Sequence, residues 1–292
     1  MSLVTHPEPF AVVASRLRAD DRRILEAFEK RGVSCRLIDS RVLWCSLHES
    51  ACAARTVLVR EIGQVRAAYA ARLLEANGSA VVNSAGAIAA CGDKWLTSVA
   101  LRGADLPTPR TVLALTPEAA LDALEHLGYP AVLKPLTGSW GRLVSRLLDR
   151  QTAEMVLDYI AALPSPQAHV IYVQELIEKP DRDIRAIVVG GEVLGANYRI
   201  CRGWRTNVAR GAQTVPCALT PELVELVLGA ACCVGAEIAG VDLIEDSDGR
   251  LSVLEVNQGV EFSGFEKAFG GTVSVADAVV DHLVRKGEEC CA

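Results

Sequence analysis

Residues 10 to 91 alternate β-branched runs of strand length with stretches of helical spacing, and this alternation constrains the fold more than any other feature. The runs "FAVVAS", "SCRLID", "TVLVRE" and "SAVVN" read as strands. Between them, Asp20 to Arg31 and Gln64 to Asn77 carry apolar residues at helical intervals, and Gly78 closes the second. Strands alternating with helices imply a small α/β unit on a mostly parallel sheet. The unit contains no G-x-G-x-x-G, so the dinucleotide-binding fingerprint is absent.

The chain has 292 residues, half of them hydrophobic, which is enough for one large or two to three small cored domains. A net charge of −6 argues against a nucleic-acid partner, because phosphate binding shows as a basic surplus. No apolar run approaches a membrane span, and the opening "MSLVTHPEPFAVVASRLRADD" has no basic n-region, so a cytoplasmic protein is expected. Ten cysteines form no C-x-x-C and five histidines show no metal spacing; reduced, scattered thiols are expected. Any metal is to be held by oxygen.

A second section begins near Gly92. "CGDKWLTSVALRGADLPTPR" gives one helix stopped by Gly103, and Thr116-Pro117-Glu118 starts another with a capping hydroxyl, a first-turn proline and an acid. "PAVLKPL" and "VSRLLD" read as strands around a glycine-bounded turn, "TGSWGRL", and Gln151 to Ala162 reads as a helix. Strands follow in "VIYVQEL" and in "DIRAIVVGGEVLGANYRI", where Gly190-Gly191 marks a hairpin. A helix opens at Thr220-Pro221-Glu222, the strands "IAGVDLIED" and "LSVLEVN" come next, and a helix from Val273 to Lys286 ends the pattern.

Several of these segments carry side chains that their elements do not explain. Lys94 in "GDKWLTS" is either a surface residue at a helix start or a functional cation. Lys134 interrupts the apolar strand "AVLKPL", so its ammonium needs an anion or water. The tetrad Gly138, Ser139, Trp140 and Gly141 is either an ordinary hairpin turn or a lid whose N–H groups close over phosphate. In "VQELIEKPDRDIR", Gln174, Glu175 and Leu176 suit the edge of an adenine, Asp183 a ribose, and Arg185 an anion; a solvated charged loop is the other reading. Arg199, Arg202, Arg205 and Arg210 crowd "YRICRGWRTNVARGAQ", as a grip on carboxylate and phosphate or as a solvated arm. Finally, Glu255 and Asn257 in "LEVN" share one strand face, and the turn around "SDG" lets Asp242 lie beside Glu255 on the neighbouring strand. Three oxygen-bearing side chains on paired strands suit Mg²⁺ bridging nucleotide phosphates.

Taken in order, the segments "VVN", "ACGDKWLTSVAL", "LPTPRT", "GYPAVLKPLTGSWGRL", "VQELIEKPDRDIR", "RTNVARG", "GVDL" and "LEVN…EF" resemble the ATP-grasp superfamily. Within it they resemble the LysX-type ligases, relatives of RimK, which join an amino acid to an amino-group carrier protein. The resemblance implies an α/β (α+β) ATP-grasp fold: an N-terminal pre-ATP-grasp domain over 1–91, a central subdomain over 92–173 and a C-terminal subdomain with the metal site over 174–292. It implies that Lys94, Lys134 and the loop Gly138, Ser139, Trp140 and Gly141 contact ATP phosphates. It gives Gln174, Glu175 and Leu176 to the adenine, and Asp183, Arg205, Thr206 and Asn207 to the rest of the nucleotide. Asp242, Glu255 and Asn257 match magnesium ligands for two ions, with Mn²⁺ a possible substitute.

The same likeness assigns Arg185, Arg199, Arg210 and Gly211 to the acyl phosphate and substrate carboxylates. Asn207, Glu261 and Phe262 fall where such enzymes select the amino acid. The implied reaction joins the α-amine of an acidic amino acid, 2-aminoadipate or glutamate, to the C-terminal glutamate of a small acidic carrier of the LysW kind. A homodimer or homotetramer without nucleic-acid or membrane partners is implied. The stretch "NVARGA" departs from the family at Ala212, where a second glycine is favoured. A RimK-like glutamate ligase acting on another protein or cofactor tail is the nearest rival, and a nucleotide-binding regulatory module is a rival of another class.

Overall fold

A computed structural model describes residues 8–46, 48, 54–138, 143–201 and 213–289. Ser139, Trp140, Gly141, Arg205, Thr206, Asn207, Arg210 and Gly211, named above for the nucleotide and the acyl group, lie outside the described residues.

The opening unit runs β1 (Glu8–Val13), α1 (Ala19–Lys30), β2 (Cys35–Ile38), β3 (Ala54–Val59), α2 (Gln64–Ala76) and β4 (Ala80–Val82). Its strands form a parallel sheet in the order β2-β1-β3-β4, as the alternation predicts. The next helices are α3 (Ala85–Gly92), capped by the Ser84 hydroxyl, and α4 (Lys94–Gly103), whose Trp95 and Leu96 N–H groups donate to the Asp93 carboxylate. The sequence reading missed α3, since "AGAIAACG" has no polar face to give it periodicity.

A second sheet follows, wholly antiparallel, in the order β5-β8-β6-β7. It comprises β5 (Thr111–Ala114), α5 (Pro117–Leu127), β6 (Ala131–Lys134), β7 (Ser145–Leu147), α6 (Arg150–Ala161) and β8 (Ile171–Glu175). Leu124, Leu133, Leu147, Leu157 and Val173 close its core under α5 and α6. The anticipated division after residue 173 falls inside β8.

The third sheet has the order β11-β10-β9-β12-β13 and is antiparallel throughout. Its elements are β9 (Arg182–Val189), β10 (Glu192–Ile200), β11 (Gln213–Cys217), α7 (Pro221–Cys233), β12 (Ile238–Glu245), β13 (Leu251–Asn257), α8 (Ser263–Ala268) and α9 (Val275–Glu289). One face buries Ile184, Ala186, Val241, Leu243 and Val253 beneath α7. Because side chains alternate along a strand, the residues next to these must face the other way, among them Asp183, Arg185 and Asp242.

The parts interlock. Phe10, Ile24, Phe28 and Leu58 of the opening unit share a core with Phe262, Val279 and Leu283 near the C-terminus. Asn83, at the end of β4, accepts from the N–H groups of Glu237 and Ile238 and donates to the Ile238 carbonyl, 2.7–2.9 Å away. Among the described residues, no helix is long and apolar enough to cross a membrane.

Candidate functional site

The register of the third sheet builds a charged floor. Asn197, Arg185, Asp242 and Glu255 are paired in a row across β10, β9, β12 and β13, and Arg199 lies opposite Asp183 in the next row. Asn257 pairs with Gly240, on the face of Asp242. A Cβ on Gly240 would sit 2.9 Å from Arg185 Nη1, so a residue without a side chain is needed where this guanidinium crosses the backbone.

That floor and the second sheet enclose a cavity of about 1190 Å³. Val132, Lys134, Arg146 and Gln174 line it from above, and Lys94 from the start of α4. Asp183, Arg185, Arg199, Asp242, Glu255 and Asn257 line it from below. Gly138, Glu175, Leu176 and Glu261 lie on its wall as well. The sequence-predicted residues that are described therefore converge on one chamber, with one exception.

The exception is Phe262. Its ring is 1% exposed, packs in the core shared with α1 and α9, and does not line the cavity. The Phe262 N–H donates to Asp20 Oδ2 at 2.7 Å, which turns this residue inward and leaves Glu261, 53% exposed, facing the chamber. Phe262 is a core anchor, so the expectation that it selects the amino acid is corrected.

The electrostatics are those of an anion-binding site with its own counter-charges. Arg185 Nη2 donates to Asp242 Oδ2 at 2.8 Å, and its Nε donates to Oδ1. Arg199 bridges Asp183 and Asp242, with Nη2 3.3 Å from Asp242 Oδ1. Burial alone would raise the Asp242 carboxyl, but Arg185 and Arg199 override it and hold it below the ordinary carboxylate range. Arg199 is raised despite its burial, by Asp242 and Asp183. Lys94 Nζ donates to the Gly138 carbonyl at 2.9 Å and stands 3.9 Å from Glu255 Oε1, tying the loop after β6 to β13. Lys134 donates to Gln174 Oε1, and burial pushes its ammonium down to about 8.

At the anticipated adenine edge, Leu176 N–H already donates to the Pro130 carbonyl at 3.1 Å, and Glu175 N–H to the Arg110 carbonyl at 2.9 Å. The donors of those two residues are spent on holding β8.

Asp242, Glu255 and Asn257 supply two carboxylates and an amide, a hard oxygen set. Among the described residues no three His, Cys, Asp or Glu gather as a metal cage. Mg²⁺ takes few protein ligands and completes its shell from phosphates and water. Two further buried oxygens of cavity residues, Asn197 Oδ1 and Gln258 Oε1, have no hydrogen-bond partner among the described residues. An incoming cation or donor would satisfy them.

The sequence reading placed no site residue in the opening unit, yet Arg18, Asp20, Glu61 and Gln64 also line the chamber. A usable signal existed: open parallel sheets bind ligands beyond the carboxyl ends of their strands, and Arg18 and Glu61 follow β1 and β3 there.

Comparison with known proteins agrees with this architecture. The family described as the RimK-like ATP-grasp domain matches residues 91–283, and the LysX preATP-grasp domain matches residues 10–90. The glutamate–LysW ligase ArgX of Sulfolobus acidocaldarius is 32% identical over 275 residues, 94% of this chain and 97% of that protein. The alpha-aminoadipate–LysW ligase LysX of the same organism is 35% identical over 205 residues, 70% of this chain and 74% of that protein. The crystal structure of a RimK domain ATP-grasp protein from Sphaerobacter thermophilus superimposes with a TM-score of 0.76 at 27% identity, covering 94% of this chain and 98% of that one. The chain belongs to the RimK-like ATP-grasp ligases and carries a LysX-type pre-ATP-grasp domain ahead of its ATP-grasp domain.

Proposed function

We propose that the protein is an ATP-dependent ligase that joins the α-amine of an acidic amino acid, glutamate or 2-aminoadipate, to the C-terminal glutamate of a small acidic carrier protein. The observation that carries this reading is the convergence of two lysines, two arginines and the Asp242, Glu255 and Asn257 oxygens on one chamber. The named relatives ArgX and LysX act on LysW, which favours a carrier of that kind here.

The reaction begins when the carrier carboxylate attacks the γ-phosphorus of ATP, releasing ADP and leaving an acyl phosphate. The amine then attacks the acyl carbon, phosphate departs, and the nitrogen loses a proton as the amide forms. Lys94 and Lys134, both on the chamber wall, carry positive charge to the triphosphate. Arg185 and Arg199 sit on the floor, where a planar donor fork suits the acyl phosphate oxygens. Asp242, Glu255 and Asn257 would hold magnesium, two ions with manganese as a substitute, and the bound metal would neutralise phosphate charge during transfer. Gly138, tied to Lys94, begins the segment that would close the chamber against water and so protect the acyl phosphate from hydrolysis.

The enzyme works in the cytoplasm as a homodimer or homotetramer in this reading. Its test is ADP release measured against a panel of amino acids and acidic carriers, with product masses determined. ADP release needing both an acidic amino acid and a carrier ending in glutamate, with an amide of matching mass, is the expected result. Extension of an unrelated protein or cofactor tail with glutamate would establish the rival RimK-like reading instead. ATP binding without acceptor-dependent ADP release would make the protein a nucleotide-binding module.

A further inference from the structure

The opening unit faces the chamber with a cation whose geometry is fixed from behind. Arg18, the residue that caps α1, is gripped by Asp21: its Nε donates to Oδ2 at 3.0 Å and its Nη2 to Oδ1 at 3.2 Å. Nη2 also donates to the Arg60 carbonyl at 3.3 Å. Asp21 is fully buried and is itself held by Arg60 Nε at 2.6 Å. Of the guanidinium's five N–H groups, three are committed, and among the described residues the two on Nη1 make no hydrogen bond and face Glu261.

Across from Nη1 stands Glu261 Oε1, 3.7 Å away. That separation is an ion pair without a hydrogen bond, so the two charges face each other across a gap that a better-placed partner can enter. Glu261 is also held in place. Arg60 Nη2 donates to the Val260 carbonyl at 2.9 Å, and Asp20 accepts from the Phe262 N–H at 2.7 Å. Adjacent residues of α1, Asp20 and Asp21, therefore fix both members of the opposed pair.

The geometry points to Arg18 as the residue that receives the α-carboxylate of the incoming amino acid, with Glu261 opposite it receiving the α-ammonium. This rests on the amide-ligase reading above and names a subsite within it. Charge decides between the two acceptors in that reaction. The carrier tail presents only carboxylates, which Glu261 would repel. The amino acid alone carries a positive and a negative group on one carbon, and a cation and an anion set side by side complement it. The floor arginines remain for the acyl phosphate.

The test compares glutamate with its 1-amide, isoglutamine, which keeps the amine and side-chain carboxylate but lacks the α-carboxylate charge. Steady-state constants are measured for the wild type, Arg18→Gln and Glu261→Gln, with carrier and ATP saturating. The wild type should prefer glutamate. Arg18→Gln should raise the KM for glutamate about 10- to 100-fold, the scale of lost hydrogen bonds to a charged group, while isoglutamine changes by less than about threefold. KM values for ATP and the carrier should stay put. A merely structural role for Arg18 would raise both amino-acid KM values together and leave the preference intact, overturning the assignment, as would a selective rise in the carrier KM.

Should Arg18→Gln not fold, Glu261→Gln keeps the proposal open to refutation, because Glu261 is half exposed and its loss leaves no buried charge unpaired. It should raise the KM for glutamate and isoglutamine alike, since both carry the ammonium; an unchanged KM for both overturns the subsite. A wild type that releases ADP with no amino acid dependence fails the parent reading. An active wild type whose preference survives Arg18→Gln fails this inference alone.

Discussion

Arg185 holds both carboxylate oxygens of Asp242, Nε toward Oδ1 and Nη2 2.8 Å from Oδ2, while Gly240 leaves it room to cross β12. Asp242 is the carboxylate proposed to ligate magnesium, so one fork-shaped cation and one metal ligand are locked together.

Arg185→Lys should accordingly lose ligation while still binding nucleotide, because a lysine reaches one oxygen and not the pair. A fall of about a hundredfold or more in kcat, with ATP affinity within about threefold, is expected from the size of such transition-state contacts. Gly240→Ala should push the same way, since its Cβ would lie 2.9 Å from Arg185 Nη1 and 3.3 Å from Cδ. Nucleotide titration beside single-turnover ligation separates these effects. Equal losses in both would move Arg185 out of the acyl site.

Lys134 gives the site a pH limit. Burial lowers its ammonium from 10.5 to about 8, while Glu255 and Asp242 partly restore it. As pH rises through about 8 the free enzyme loses this charge, and ATP affinity should fall with it. Lys134→Gln should bind ATP weakly at every pH and lack that alkaline limb. The sign for stability is opposite. Below about 8 the folded chain bears the cost of a buried charge, and between about 8 and 10.5 only the unfolded chain stays protonated, so the nucleotide-free fold gains stability across that window. Equilibrium binding of a non-hydrolysable ATP analogue from pH 6.5 to 9.5 reads the first effect. Affinity unchanged through pH 9 would remove Lys134 from the phosphate contacts.

Asp21→Asn should be severely destabilising. It strands Arg60, 3% exposed, with its charge uncompensated, and unclamps Arg18. Breaking a buried ion pair from one side costs about 3–5 kcal/mol, so urea unfolding should show a loss of that order. A loss below about 1 kcal/mol would mean that water reaches Arg60.

The sequence made the pairing of β12 with β13 legible because a period of two, a short turn and three oxygen side chains fix one geometry, and Asp242 does pair with Glu255. Lys134 stood out for the same kind of reason, as a charge ending an apolar strand. Phe262 misled because nearness in sequence to Asn257 says nothing about side: the Asp20 bond to its N–H turns the ring into the core. Arg18 stayed hidden because its role depends on Asp21 and Glu261, the latter 243 positions away, and no local pattern encodes that meeting. Two strands were passed over for want of length or periodicity, β5 with four residues and β11 with a proline among its five.

The central claim is that an acid oxygen attacks phosphorus before any amide forms. A carrier whose C-terminal carboxyls are labelled with ¹⁸O, turned over with ATP and glutamate, tests it directly by mass analysis of the released phosphate. One labelled oxygen per phosphate, with ADP as the other product, is the predicted result. Unlabelled phosphate, or AMP and pyrophosphate in place of ADP and phosphate, would contradict it.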